Sequence, residues 1–348
     1  MIIRTKAPLR LGLAGGGTDL SPYCDQFGGV VLNATINMFA YCSLQTVDGD
    51  TITFEAKDMQ IKESIQKNEV LIEGRLDSKL KLHYGVYRKI KKLYGELPSA
   101  FNMATYNEAS VGSGLGGSST MVVAMLKAYA EWLNLPLGDY DLAHLAWEIE
   151  RKDLELAGGK QDQYAATFGG FNFIEFGADE KVIVNPLRIK HWIRNELEDS
   201  LVLFYTGKSR ESANIIRQQI QSVEGDDEKL QGLHDLKKIA FEMKEAVLIG
   251  DFDKFGDTLN RGWAAKKKTA DVISNPMLDE IYDAVIRAGG IAGKLSGAGG
   301  GGFFMFYVDP ARRLDVVRAL DGFDGKVVTT QFSEEGTLGW KIMKEATM

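Results

Sequence analysis

The chain has 348 residues, 45% of them hydrophobic and 26% charged, which is the make-up of an ordinary globular protein with room for about two domains. A net charge of −7 argues against a nucleic-acid binder. Two cysteines, Cys24 and Cys42, are too few for a disulfide framework or a zinc site; they read as small buried hydrophobes in a reducing cytoplasm. The opening MIIRTKAPLR lacks the apolar core of a signal peptide, and no run of about 18 apolar residues exists, so no membrane partner is expected.

In chain order, residues 2–14 read as a strand that Pro8 interrupts. The strand runs into Gly15-Gly16-Gly17-Thr18-Asp19, where Asp19 is placed either to cap a helix or to accept from a sugar hydroxyl. Residues 30–36, 40–47 and 51–54 read as three further strands. Residues 80–94 read as a helix whose lysines and arginine form a solvated face. A weakly alternating strand at 101–106 then leads into the most distinctive stretch of the chain.

That stretch is Val111-Gly112-Ser113-Gly114-Leu115-Gly116-Gly117-Ser118-Ser119-Thr120, followed at once by an apolar run. It reads as a glycine-rich turn feeding a buried helix over 119–133, with Ser118, Ser119 or Thr120 able to cap it. Glycines let backbone N–H groups face a ligand, and a helix N-terminus favours an anion. Three ligand readings compete. Gly112-x-Gly114-x-x-Gly117 satisfies the dinucleotide string, a weak signal among 38 glycines. A P-loop nearly fits but has Ser118 where lysine must stand. The third is a different phosphate loop whose hydroxyls help hold Mg²⁺. A tight turn that binds nothing is the bland alternative.

A second helix is expected from Asp141 to about Leu156, with most of its charges facing solvent. The loop Ala157-Gly158-Gly159-Lys160-Gln161-Asp162-Gln163 and a strand at 171–176 follow. A junction over 186–198 suggests domains at 1–188 and 189–348. The second half offers a buried strand at 201–205 ending near Lys208-Ser209-Arg210. Helices at 212–223, 228–249, 252–268 and 276–288 come next. Lys266-Lys267-Lys268 reads as a solvated basic end or a phosphate contact. A second glycine run from Gly293 to Gly302 opens the strand 303–308. Its loop-then-strand order is wrong for a dinucleotide fold and suits a hairpin around a ligand. A helix at 310–320 and a strand at 326–332 close the chain.

Three distant glycine stretches and one isolated aspartate loop suggest a single polyanion site. At these residues the chain resembles the GHMP kinases, the family of galactokinase, homoserine kinase, mevalonate kinase and phosphomevalonate kinase. The three motifs are Ala7 to Asp19, Gly112 to Thr120 and Lys294 to Phe304. The resemblance covers essentially the whole chain. It implies an α/β (α+β) two-domain fold with ATP and Mg²⁺ at the domain interface.

The resemblance also implies roles. ATP phosphates would lie on Gly112, Gly114, Leu115, Gly116, Gly117, Ser118 and Ser119. Mg²⁺ would meet Ser118, with Ser119 in reserve, and Glu150. Asp162 would orient or deprotonate the acceptor hydroxyl, and Arg10 would be a further catalytic group. Asp19 would take a sugar hydroxyl, with Gly16, Gly17, Thr18, Gly299 and Gly300 lining the substrate. Motif 1 carries Arg10 and Gly-Gly-Gly-Thr-Asp where lysine and Gly-Glu-His are usual, which points to the sugar 1-kinases. PLRLGLAGGGTDLSPY and KLSGAGGGGFF are most similar to the branch that phosphorylates a heptose 7-phosphate. A substrate already phosphorylated needs a second cationic pocket, for which Arg10, Lys160, Lys208, Ser209 and Arg210 are candidates. The expected partners are a small-molecule sugar phosphate and ATP, with a homodimer allowed. An L-fucose-type kinase, a non-catalytic sugar sensor and an NAD(P)H oxidoreductase are the alternatives.

Overall fold

The computed structural model describes residues 1–67, 77–110, 112–207 and 212–342. Val111, Lys208, Ser209 and Arg210 lie outside the described residues. The first half contains β1 (Ile2–Ala14), α1 (Tyr23–Phe27), β2 (Gly29–Val47), β3 (Thr51–Ala56), β4 (Ile61–Gln66), α2 (Lys81–Tyr94), β5 (Ala100–Asn107), α3 (Gly117–Leu133), α4 (Asp139–Glu148), α5 (Gln161–Phe168), β6 (Phe171–Phe176) and β7 (Val182–Pro186). The second contains α6 (His191–Ser200), β8 (Leu201–Tyr205), α7 (Ser212–Gly225), α8 (Asp227–Ile249), α9 (Phe252–Lys268), α10 (Pro276–Arg287), β9 (Gly290–Leu295), β10 (Phe303–Val308), α11 (Arg313–Leu320), β11 (Lys326–Val328) and β12 (Leu338–Ile342).

The larger sheet runs β12-β1-β2-β5-β3-β4, with β6 and β7 branching from β2; the smaller runs β11-β8-β10-β9. Pro8 does not break β1. The register shifts between Pro8 and Arg10, so the ladder absorbs the missing N–H in an irregularity. The two strands expected at 30–36 and 40–47 are one strand of 19 residues. Its first half pairs with β6 and its second with β5. Where the pattern weakens between them, Asn37 donates to the Gln331 carbonyl and Ile36 bridges Phe332. A contact nearly 300 residues away therefore carries the strand across the gap.

α3 is apolar on nearly every face and is correspondingly buried, from Ser119 to Trp132. It packs on β1 and β2, fixing the glycine loop that precedes it. One apolar core joins the two sheets: Leu9, Leu11 and Leu13 of β1 meet Leu203 of β8 and Phe303 and Met305 of β10. β12 pairs antiparallel with β1, so the second half of the chain returns a strand to the first sheet. Both cysteines are buried and free, and burial pushes each thiol up to about 12. No helix among the described residues is long and apolar enough to cross a membrane.

Candidate active site

The glycine loop at 112–120 and the glycine run at 293–302 interlock. Ser296 donates through Oγ to the Gly114 carbonyl at 3.0 Å, and Phe303 N–H donates to the Ser113 carbonyl at 3.0 Å. A Cβ on Gly114 would sit 2.4 Å from the Ser296 carbonyl oxygen, and φ there is +80°. Only glycine allows that approach. Gly116 is the N-cap of α3 in the left-handed region and offers no side-chain cap. The expected hydroxyl cap does not form: Thr120 Oγ1 donates back to the Gly116 carbonyl at 3.0 Å. The first-turn N–H groups of α3 thus have no side-chain acceptor on the helix, as an anion site requires. Gly112, Gly114, Gly116, Gly117, Ser118 and Ser119 line the main cleft. Leu115 does not line it: its side chain is core and its carbonyl takes the Arg10 N–H at 3.1 Å.

Arg10 and Asp162 meet over this loop. Arg10 Nε donates to Asp162 Oδ1 at 2.7 Å, and Arg10 Nη2 lies 2.6 Å from the same oxygen. Arg10 Nη1 also reaches the Gly114 carbonyl and Ser296 Oγ. One guanidinium ties β1, the glycine loop before α3, the glycine run 293–302 and α5 together, leaving Asp162 Oδ2 outside its grip. Asp162 occupies the first turn of α5.

Asp19 does cap a helix, but a distant one. Its Oδ2 accepts from the N–H groups of Lys160 (3.0 Å) and Gln161 (3.2 Å) at the start of α5. Its Oδ1 accepts from Gly17 N–H and Gln161 Nε2. A Cβ on Gly159 would collide with Asp19 Oδ2. The carboxylate lines the cleft, yet four donors already occupy it. Asp19 therefore places Asp162.

Glu150 is buried at 1% exposure, an exception among the charges of a helix expected to be mostly solvent-facing. α4 stops at Glu148, and a wide π turn from Ile149 to Asp153 rotates Glu150 inward. Asp141 is not its cap; it sits inside the first turn and accepts from Gly138 N–H at 3.0 Å. Gln163 Nε2 donates both to Glu150 Oε2 (2.5 Å) and to Ser119 Oγ (3.1 Å). Gln163 Oε1 is buried without a partner. Ser118, by contrast, is exposed at the cleft. A buried carboxylate, a hydroxyl beside it and an unsatisfied amide oxygen form a donor set that fits a hard cation sharing its shell with phosphates and water. No group of three or more His, Cys, Asp or Glu side chains suited to a metal ion exists among the described residues.

The cleft holds about 450 Å³ and runs from Gly17 and Lys266 past Asp162 to Ala56, Met59, Leu82 and His83. Several expected substrate residues do not reach it. Lys160 is buried with its ammonium 4.0 Å from Asp25 and over the Trp147 ring. Thr18 spends its hydroxyl on the carbonyls of Gly15 and Val30. Gly16 borders a small cavity behind the first glycine run. Gly299 and Gly300 pack on Ile273, and Gly300 N–H donates to its carbonyl; Gly297 and Ala298 face the cleft in their place.

Residues 81–170 match the family described as GHMP kinases N terminal domain, and residues 243–324 that described as GHMP kinases C terminal. A Campylobacter jejuni protein named D-glycero-alpha-D-manno-heptose 7-phosphate kinase is 46% identical over 340 residues, 98% of this chain and 99% of its own length. The chain belongs to the GHMP kinases. A solved structure from Bacteroides thetaiotaomicron, described as a D-glycero-D-manno-heptose 1-phosphate kinase, is also 46% identical. It covers 98% of this chain and 100% of its own, with a TM-score of 0.83. A Bacteroides fragilis L-fucokinase/L-fucose-1-P guanylyltransferase is 26% identical over 92% of this chain and 36% of its own length.

In this GHMP kinase Lys294 was given no role by the sequence reading, and Lys266 was left between two. Lys266 is buried and donates to the Gly16 carbonyl at 2.9 Å, so the solvated reading of 266–268 fails for it. The signal was there: Phe255, Leu259, Gly262, Trp263 and Lys266 share one helical face, all buried. Lys294 donates to the Gly12 carbonyl from β9. Burial lowers Lys266 to about 8 and Lys294 to about 7. Arg151 organises the loop before α5, donating to the carbonyls of Leu156, Ala157 and Gly159; no spacing signal marks it.

Proposed function

We propose that the protein transfers the γ-phosphoryl group of ATP to the anomeric hydroxyl of D-glycero-α-D-manno-heptose 7-phosphate, giving the 1,7-bisphosphate. The observation that carries the reading is Asp162, held by Arg10 between the phosphate loop and the first glycine turn. The triphosphate rests on the backbone of Gly112 to Ser119, and the base lies toward the apolar end formed by Ala56, Met59 and Leu82. The sugar lies at the Gly17 end.

Asp162 orients the C1 hydroxyl and takes its proton on Oδ2 as the oxygen attacks the γ-phosphorus. The bond from that phosphorus to the β-bridging oxygen breaks, and ADP leaves with the electron pair. Arg10 keeps the carboxylate in line, which matters most where catalysis is positioning and charge neutralisation. Mg²⁺ would be held by Glu150 and Ser119, with Ser118 nearby, and would neutralise charge on the β- and γ-phosphates. Residues 1–188 form the part that carries this machinery, and 189–348 the part that closes it with the second glycine run.

The intact set of Ser119, Glu150 and Asp162 supports an enzyme over a sugar sensor. The reading is tested by ADP release on heptose 7-phosphate, heptose 1-phosphate, the unphosphorylated heptose and L-fucose. Fastest turnover on heptose 7-phosphate, with new phosphate on C1 by ³¹P NMR, is expected. Preference for L-fucose, or product phosphorylated elsewhere, overturns it.

A further inference from the structure

The Gly17 end of the cleft carries a positive charge that the protein does not balance. Arg10 and Lys266 line it and Lys294 borders the small cavity behind it; among the described residues the carboxylates that act on Arg10 and Lys266 are Asp162 and Asp19. Asp162 is engaged by Arg10, and Asp19 by four N–H donors. Lys266 is 5% exposed, and its hydrogen-bond acceptor is the Gly16 carbonyl rather than a carboxylate. A buried ammonium whose hydrogen bond goes to a carbonyl rather than to a carboxylate is costly unless an anion joins it.

Geometry gives that anion a place. Lys266 borders both the main cleft and the small cavity behind the first glycine turn. Gly17, Gln219 and Lys266 line the cleft together. A Cβ on Gly17 would lie 3.4 Å from both Lys266 Nζ and Gln219 Nε2. Glycine at this position leaves the approach to the ammonium open. Asp19 is joined to Gln161, the neighbour of Asp162 at the start of α5, by the hydrogen bond from Gln161 Nε2 to Asp19 Oδ1. The residues of this corner, Gly17, Gln219 and Lys266, are separate from Gly112 to Ser119, the loop assigned above to the triphosphate.

We propose that Lys266, approached past Gly17 and beside Gln219, anchors the phosphomonoester that the sugar substrate already carries. This rests on the kinase reading above and deepens it: Lys266 sets the preference for a phosphorylated over a neutral sugar. The other class of anion that could use the ammonium is the ATP γ-phosphate, and the test separates the two.

The test compares wild type with Lys266→Met on heptose 7-phosphate and on the unphosphorylated heptose, at saturating and varied ATP. The ratio of kcat/KM for the two sugars should fall by about 100-fold, through the KM of the phosphorylated sugar, as expected for losing a charge-assisted contact. The KM for ATP should stay within about threefold of wild type. Lys266→Arg should keep part of the preference. An unchanged ratio, or an ATP KM that rises as steeply as the sugar KM, overturns the proposal. Should the methionine variant not fold, inorganic phosphate as an inhibitor of wild type decides. Competition with the sugar phosphate supports the site, and competition with ATP alone overturns it. Wild type that turns over no heptose phosphate defeats the kinase reading itself. Wild type that does, beside a methionine variant with an undiminished preference, defeats only the role of Lys266.

Discussion

Arg10 and Asp162 are 152 positions apart in the chain, and Arg10 Nε donates to Asp162 Oδ1 at 2.7 Å. The same guanidinium holds the Gly114 carbonyl, so a carboxylate and the glycine loop before α3 are fixed to one strand. The fork is what matters here. Lysine would keep the charge but could not span three acceptors.

Arg10→Lys should therefore lower kcat by about 100-fold, the cost of a misplacement near 1 Å, while the fold survives. Steady-state kinetics with circular dichroism check this. Activity within a few-fold of wild type would show that Asp162 is placed by other contacts.

The contact between Gly114 and Ser296 gives a stability prediction. Gly114→Ala puts a methyl 2.4 Å from a carbonyl oxygen at φ +80°. Loss of about 2–4 kcal/mol is expected, since backbone on both sides must shift. Urea denaturation reads it directly. Gly95, at φ +81° but with open space around its Cβ position, is the control: its alanine variant should lose about 1 kcal/mol, the cost of left-handed backbone alone.

Gln163 joins the groups assigned to the cation. Removing its amide in Gln163→Leu takes a donor from Glu150 and from Ser119 at once. The Mg²⁺ concentration for half-maximal rate should rise by about 10-fold or more, as for other lost outer-shell partners. A titration of rate against Mg²⁺ at fixed ATP tests it, and an unchanged midpoint would separate Gln163 from the metal.

Lys266 supplies a pH dependence. Burial holds it down at about 8, with Asp19 pulling it up and Arg10 pushing it further down, against an ordinary value of 10.5. Its charge is thus penalised in the fold. The penalty is complete below pH 8 and is relieved as pH climbs from 8 to 10.5, where the unfolded chain also loses the proton. Lys266→Met should be more stable than wild type at pH 7, with the gap narrowing by pH 10. Equal gaps at both pH values would contradict the burial argument.

The glycine runs, the apolar helix α3 and the aspartate loop were legible because each is a local signal. Gly112, Gly116 and Gly117 need no partner to declare a turn before a helix. What the sequence hid depends on long-range packing. The continuity of β2 rests on residues near 331, and the turn that buries Glu150 rests on contacts with Gln163. Asp19 shows the limit most clearly. Its side chain could be read as a cap or as a sugar ligand, and the helix it caps, α5, begins 142 positions away, beyond any local signal. Lys160 looked available on a loop, yet Trp147 and Asp25 enclose its ammonium. Lys266 looked solvated because two exposed lysines follow it, although its helical position is that of Phe255 and Leu259.

The central claim is that Asp162 acts on the acceptor hydroxyl and not on ATP. Asp162→Asn keeps the size of the side chain and an oxygen for Arg10, and removes the base. Single-turnover transfer to heptose 7-phosphate, measured beside the Kd for ATP, is the most direct test. The rate should fall by about 1,000-fold, with the ATP Kd within about twofold of wild type. A rate within tenfold of wild type, or an ATP affinity lost along with the rate, would contradict the account.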